Sequence, residues 1–156
     1  MLKNLIFLFI VFIIPFNSFG KTSWERVQGV EGDKNWVISM SAVSGNNIWL
    51  LGIVDNNGNS EVRGYRSTNG SSFSQFTLPV GSGDMNMYSS IGFADETTGY
   101  LSGVTIDMPF KDGFDLDTNI IWKSSNGGSS WEVMDDSLDE MITKLQVFPS
   151  GEMFGV

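Results

Sequence analysis

Three short segments ending in glycine recur along this chain at nearly constant spacing. Trp49-Leu50-Leu51-Gly52, Tyr100-Leu101-Ser102-Gly103 and Glu152-Met153-Phe154-Gly155 lie 51 and then 52 residues apart. A period of this length restricts the chain to architectures that stack one supersecondary unit, because a single unit can bury its apolar faces only against its neighbours. The likeness extends upstream. Each glycine segment follows a turn-like stretch, namely Ser44-Gly45-Asn46-Asn47, Asp95-Glu96-Thr97-Thr98-Gly99 and Pro149-Ser150-Gly151. Each turn in turn follows an apolar run, at Ile38 to Val43, Tyr88 to Ala94 and Ile142 to Phe148.

Two of the units share a further element downstream. Ser124-Ser125-Asn126-Gly127-Gly128-Ser129-Ser130-Trp131 has its counterpart in Ser67-Thr68-Asn69-Gly70-Ser71-Ser72-Phe73, one residue shorter. Each reads as a tight turn in which the Asn side chain accepts from backbone N–H groups and Gly supplies positive φ. Strand-like segments flank both turns, over Glu61 to Ser67 and Ser72 to Leu78 in the first and Asn119 to Ser125 and Ser129 to Met134 in the second. The unit is therefore strand, turn, strand, loop, strand, Asn-Gly turn, strand. Four antiparallel strands in about 50 residues make one blade of a β-propeller. The expected fold is all-β, with a first blade over 36–79, a second over 87–135 and the start of a third over 142–156, about two and a half blades.

The segment 124–131 resembles the Asp-box, or bacterial neuraminidase repeat, S-x-D-x-G-x-x-W, with Asn126 in place of Asp. The full second unit, with Phe93-Ala94-Asp95 ahead of Gly99 to Gly103, is most similar to repeats of the photosystem II assembly and stability factor type. The resemblance covers roughly residues 36–156 and is weaker in the first unit, where the box is shortened and Phe73 replaces Trp. It implies structural roles for Ser67, Asn69, Gly70 and Phe73 and for Ser124, Asn126, Gly128 and Trp131. It also implies a scaffold that binds a partner in complex assembly. Closed propellers take about 4 to 8 blades, so the chain is expected to be an N-terminal piece of a longer frame, the rival being a ring completed by self-association. Trp24 is a candidate for a closing strand, since Ser23-Trp24-Glu25 resembles Ser130-Trp131-Glu132.

Composition narrows the chemistry. The 156 residues include no His and no Cys, which excludes a Ser-His-Asp triad, a thiol nucleophile, a zinc finger and disulfides. Eighteen acidic against nine basic side chains give a net charge of −9, the wrong sign for phosphate recognition, so no nucleic-acid partner is expected. Residues 1–20 have the pattern of a cleavable secretory signal: Lys3, an apolar run from Leu5 to Phe16, and small residues up to Gly20. That run is shorter than the roughly 20 residues that span a bilayer, so the mature protein is expected to be secreted or periplasmic, with no membrane span.

Few residues stand out as chemistry rather than architecture. The stretch Asp107 to Asp117 is longer than its counterpart Asp55 to Ser60, and Asp112, Asp115, Asp117 and Asn119 are candidate oxygen ligands for a hard cation such as Ca²⁺, or a partner-binding loop. A solvated loop is the alternative. The metal is unknown, and no other cofactor is expected. Asp55-Asn56-Asn57-Gly58-Asn59 reads as a hairpin turn, and Asp135 to Glu140 as an acidic connection between blades. Sialidases share the box, but their carboxylate-gripping arginines have no counterpart set in Arg26, Arg63 and Arg66. The expectation is a non-catalytic scaffold for a protein or glycan ligand. The alternatives are a sialidase-like glycoside hydrolase with its catalytic residues outside this chain, or a repeat module of a surface adhesin.

Overall fold

The computed structural model describes residues 35–56, 58–83, 85–106 and 118–156. Residues 1–20, expected to be a secretory signal, Trp24 and Arg26, and the candidate ligands Asp112, Asp115 and Asp117, lie outside the described residues. Strands β1 (Asn35–Ala42), β2 (Ile48–Asn56), β3 (Asn59–Ser67) and β4 (Ser74–Phe76) form one antiparallel sheet in that order. Strands β5 (Met85–Phe93), β6 (Gly99–Ile106), β7 (Thr118–Ser124) and β8 (Glu132–Leu138) form a second sheet in the same order. β9 (Leu145–Val147) and β10 (Met153–Gly155) make a separate antiparallel pair. The described residues contain no helix.

Strand alternation explains how the sheets stack. Successive side chains of a strand point to opposite faces, and β2 is apolar on both: Trp49 and Leu51 face one way, Leu50 and Val54 the other. A strand apolar on both faces can bury one of them against a neighbouring sheet. Trp49 and Leu51 meet Ile91, Phe93, Leu101, Ile120 and Trp122 of the second sheet in one buried cluster, with Val62, Phe76, Tyr88 and Trp131 around it. Full burial of such a side chain contributes about 1.5–3 kcal/mol. The second sheet repeats the arrangement on its far side, where Tyr100 and Ile121 pack with Leu145 of the third pair, bordered by Leu138, Ile142, Val147 and Met153. Four-stranded antiparallel sheets stacked face to face in chain order are successive blades of a β-propeller.

Two local expectations differ from the structure. The acidic segment from Asp135 is no free connection: β8 continues through it to Leu138. The pairing of β7 with β8 slips at Ile121 and again beside Trp122, and Asp135 sits opposite Ile121 at the slip. Its carboxylate accepts from the Ser137 amide (3.0 Å) and hydroxyl (2.8 Å), which holds the bulge, and Leu138 then turns into the cluster with Ile121. The outer strand of the first blade is likewise shorter than Ser72 to Leu78. β4 pairs only with Gly64, Tyr65 and Arg66, because Leu78 leaves the sheet to pack between the two blades.

Candidate functional site

Both Asn-Gly turns are closed by their own side chains. In the first, the Asn69 Oδ1 accepts from the amides of Ser71 (3.0 Å) and Ser72 (2.9 Å) and from the Ser67 hydroxyl (3.2 Å), and the Ser67 Oγ accepts from the Gly70 amide (2.9 Å). Gly70 has φ +72° and donates also to the Asn46 carbonyl, so that a Cβ there would run into the Gly45 carbonyl oxygen. In the second, Asn126 Oδ1 accepts from the Ser130 amide (2.8 Å) and the Ser124 hydroxyl (3.0 Å), while the Gly128 amide donates to Ser124 Oγ (2.9 Å). Gly127 and Gly128 have φ +71° and +89°, and the Gly127 amide donates to the Thr97 carbonyl (2.8 Å). Each turn thereby clamps the β1–β2 or β5–β6 connection of its own sheet. The following aromatics diverge: Phe73 packs beside Leu50 and Tyr65 on the outer face of the first blade, whereas Trp131 packs between the blades near Phe93 and Phe76.

The second turn also receives the first blade. Trp49 is fully buried, its ring stacked on Phe93 (centroids 3.8 Å apart, planes 10°), and its Nε1 donates to the Gly127 carbonyl at 2.9 Å. Arg66 lies 5.0 Å over the same indole and donates to the same carbonyl at 3.2 Å. Asn47 donates to the Glu96 carboxylate across the same junction (2.7 Å). Arg63 points to the other face of β3, as strand alternation requires, and is bonded to Glu61. The two described arginines therefore do not converge on one ligand.

The innermost strands β1, β5 and β9 line a groove of about 560 Å³. Its walls carry Ser39, Ser41, Ser89, Ser90, Thr143 and Gln146, and among the described residues its single charged side chain is Lys144. Serine hydroxyls join the strands. The Ile91 amide donates to Ser39 Oγ (3.0 Å), the Phe93 amide to Ser41 Oγ (2.8 Å), and the Leu145 amide to Ser90 Oγ (2.9 Å). Sequence reasoning passed over these serines, although Ser39 and Ser90 stand 51 residues apart, in step with the glycine segments.

The remaining candidates are separate from the groove. Asn119 is the second residue of β7: its Nδ2 donates to the Leu138 carbonyl (3.1 Å), while its Oδ1 is buried with no hydrogen-bond partner among the described residues. Asp55 caps the β2–β3 hairpin by accepting from the Gly58 amide (2.8 Å). Asp95 accepts from the Thr97 hydroxyl and from the Thr98 and Thr97 amides, which lower its pKa from 3.8 to about 2. Asp135 is lowered by the Ser137 amide and hydroxyl, and burial raises the Tyr88 phenol, whose hydroxyl donates to the Pro79 carbonyl. Among the described residues no three acidic side chains gather to hold a metal ion, and no helix is long and apolar enough to cross a membrane.

No family model matches the chain, and no curated protein matches it. Among solved structures, one described as YCF48 bound to D1 peptide superposes with a TM-score of 0.40 at 15% identity. The match takes in 83% of this chain and 52% of that one, so the chain spans about half the length of the structure it matches.

Proposed function

We propose that this chain is a non-catalytic β-propeller scaffold, exported to the periplasm or beyond, that binds a segment of another protein and thereby serves the assembly of a complex. The observation that carries the reading is the groove along β1, β5 and β9. Among the described residues it offers hydroxyls, an amide and one ammonium group but no carboxylate, so they give hydrogen-bonding surface for an extended ligand and no acid–base pair for bond cleavage. In this reading Ser67, Asn69, Gly70 and Phe73, and Ser124, Asn126, Gly128 and Trp131, are Asp-box residues whose work is architectural, and the resemblance to assembly-factor repeats points the same way. Export rests on the pattern of residues 1–20.

The test presents the purified protein to arrays of extended peptides and of glycans, with fluorogenic sialosides and other glycosides assayed in parallel. Saturable binding of a peptide that Lys144→Glu weakens is the expected result. Turnover of a glycoside, or binding confined to glycans, overturns the reading in favour of a hydrolase or lectin. Cell fractionation with N-terminal sequencing tests export, and a mature protein beginning at Lys21 is expected.

A further inference from the structure

Both box-like turns contain an asparagine followed by glycine, Asn69-Gly70 and Asn126-Gly127. The pairing is chemically labile, because glycine has no side chain to shield its own amide from the side chain before it. In the reaction the glycine nitrogen bonds to the asparagine Cγ, the Cγ–Nδ2 bond breaks, and Nδ2 leaves as ammonia with the proton of the glycine amide. Water then opens the cyclic imide, to aspartate by adding at the side-chain carbonyl or to isoaspartate by adding at the main-chain one. The first step needs a glycine amide free to lose its proton and a Cγ free to swing towards it.

The fold withholds both. The Gly70 amide is shared between Ser67 Oγ (2.9 Å) and the Asn46 carbonyl (3.1 Å), and the Gly127 amide donates to the Thr97 carbonyl (2.8 Å). The Asn69 Oδ1 is held by the amides of Ser71 and Ser72, and the Asn126 Oδ1 by that of Ser130. Each Nδ2 is bonded to a serine hydroxyl, of Ser72 (2.8 Å) or Ser130 (2.7 Å). The turns differ in what must move to release the amide. Gly70 is exposed, and local opening of its turn from the β1–β2 connection frees it. Gly127 is buried, and its carbonyl also takes the Trp49 indole and the Arg66 guanidinium of the other blade.

We propose that Asn69 and Asn126 are deamidation sites held in check by the fold, Asn69 reacting through local opening of its turn and Asn126 only when the two blades part. An aspartyl product keeps a side-chain oxygen for the turn amides. An isoaspartyl product lengthens the main chain by one carbon and cannot close the turn in the same way. A chain that stays unfolded therefore ages at both turns, whereas a folded chain is modified first at Asn69. The inference rests on the geometry of the turns and not on ligand binding in the groove.

Incubation of the full chain at mildly alkaline pH, with and without guanidinium chloride, followed by tryptic peptide mapping in a mass spectrometer, tests it. Residues 67–111 and 124–144 fall in separate tryptic peptides, and the third Asn-Gly pair, at Asn57-Gly58, in a further one over 35–63. In denaturant Asn69 and Asn126 are expected to react at similar rates. In the folded protein Asn69 is expected to slow at least about tenfold and Asn126 by about a further tenfold, since each reacts only from its open state. Ser67→Ala removes one acceptor of the Gly70 amide and is expected to speed Asn69 severalfold while Asn126 keeps its rate. If that variant fails to fold, both sites accelerate together, and the rates of the parent protein decide the matter by themselves. Reaction of Asn126 in the folded parent as fast as in denaturant, or faster than Asn69, overturns the proposal. So does the absence of reaction at either site in denaturant, or an unchanged Asn69 rate in folded Ser67→Ala.

Discussion

Trp49 and Arg66 reach across the blade junction to one carbonyl, and this shared acceptor makes a sharp prediction. In Trp49→Phe the indole N–H is lost, but the Gly127 carbonyl keeps Arg66, so the hydrogen bond itself costs only about 1 kcal/mol. Shrinking a fully buried ring stacked on Phe93 adds roughly 1–2 kcal/mol through lost contact and the space left behind. Arg66→Met keeps the stem over the indole and leaves Trp49 on the carbonyl, for about 1 kcal/mol including the lost cation–π contact. The double variant leaves a buried carbonyl with neither donor, a penalty of about 1–3 kcal/mol that neither single variant carries. Against this, the phenyl ring left in Trp49→Phe is a weaker cation–π face, so that variant already loses part of the contact that Arg66→Met removes, and this overlap returns about 0.5 kcal/mol. The double variant should therefore be destabilised by about 1 kcal/mol more than the sum of the singles, the excess that a double-mutant cycle reads. Urea unfolding followed by tryptophan fluorescence and by far-UV circular dichroism measures all four proteins, with m-values expected to agree. Additivity within about 0.3 kcal/mol, or a Trp49→Phe cost below about 1 kcal/mol, would refute the view that this carbonyl couples the blades.

Other positions give simpler tests. Asn126→Asp retains the acceptor for Ser130 and restores the usual box residue, so it should unfold within about 0.5 kcal/mol of the parent, whereas Asn126→Ala should cost about 1–2 kcal/mol in the same urea assay. Gly70→Ala combines a left-handed φ with collision on the Gly45 carbonyl and should lose at least about 2 kcal/mol; a thermal midpoint matching the parent would contradict the turn geometry. Ser41→Ala should leave the Phe93 amide without its acceptor and speed its exchange, while the Leu145 amide, held by Ser90, keeps its rate. The Asp95 pKa is depressed in the fold, so its contribution is fully present above the ordinary value of 3.8 and is lost as pH falls through about 2. Asp95→Asn should flatten the pH dependence of stability over that window and leave it unchanged at pH 7 relative to pH 5, as measured by thermal unfolding across pH.

What the sequence determined by itself is what depends on local periodicity and turn chemistry. The spacing of the glycine segments gave the unit, and a unit that cannot bury its apolar faces alone required neighbours of the same kind. Ser67 with Asn69 and Ser124 with Asn126 could be assigned to turns because their partners lie within four residues, where short-range geometry leaves little choice. Even the separation of Arg63 from Arg66 followed from the two-residue period of a strand. Tertiary structure decided whatever joins residues of different units. That Trp49 and Arg66 converge on Gly127, 78 and 61 residues away, depends on which face of one sheet meets which turn of the next. The extension of β8 through Asp135 is decided by a slip in pairing with β7 and by burial of Leu138, neither of which marks the acidic segment itself. The serines of the innermost strands show the division most clearly: their 51-residue recurrence is written in the chain, but their task of capping the next strand exists only once the sheets are stacked, because a free edge amide acquires its partner from the neighbouring layer and not from its own sequence.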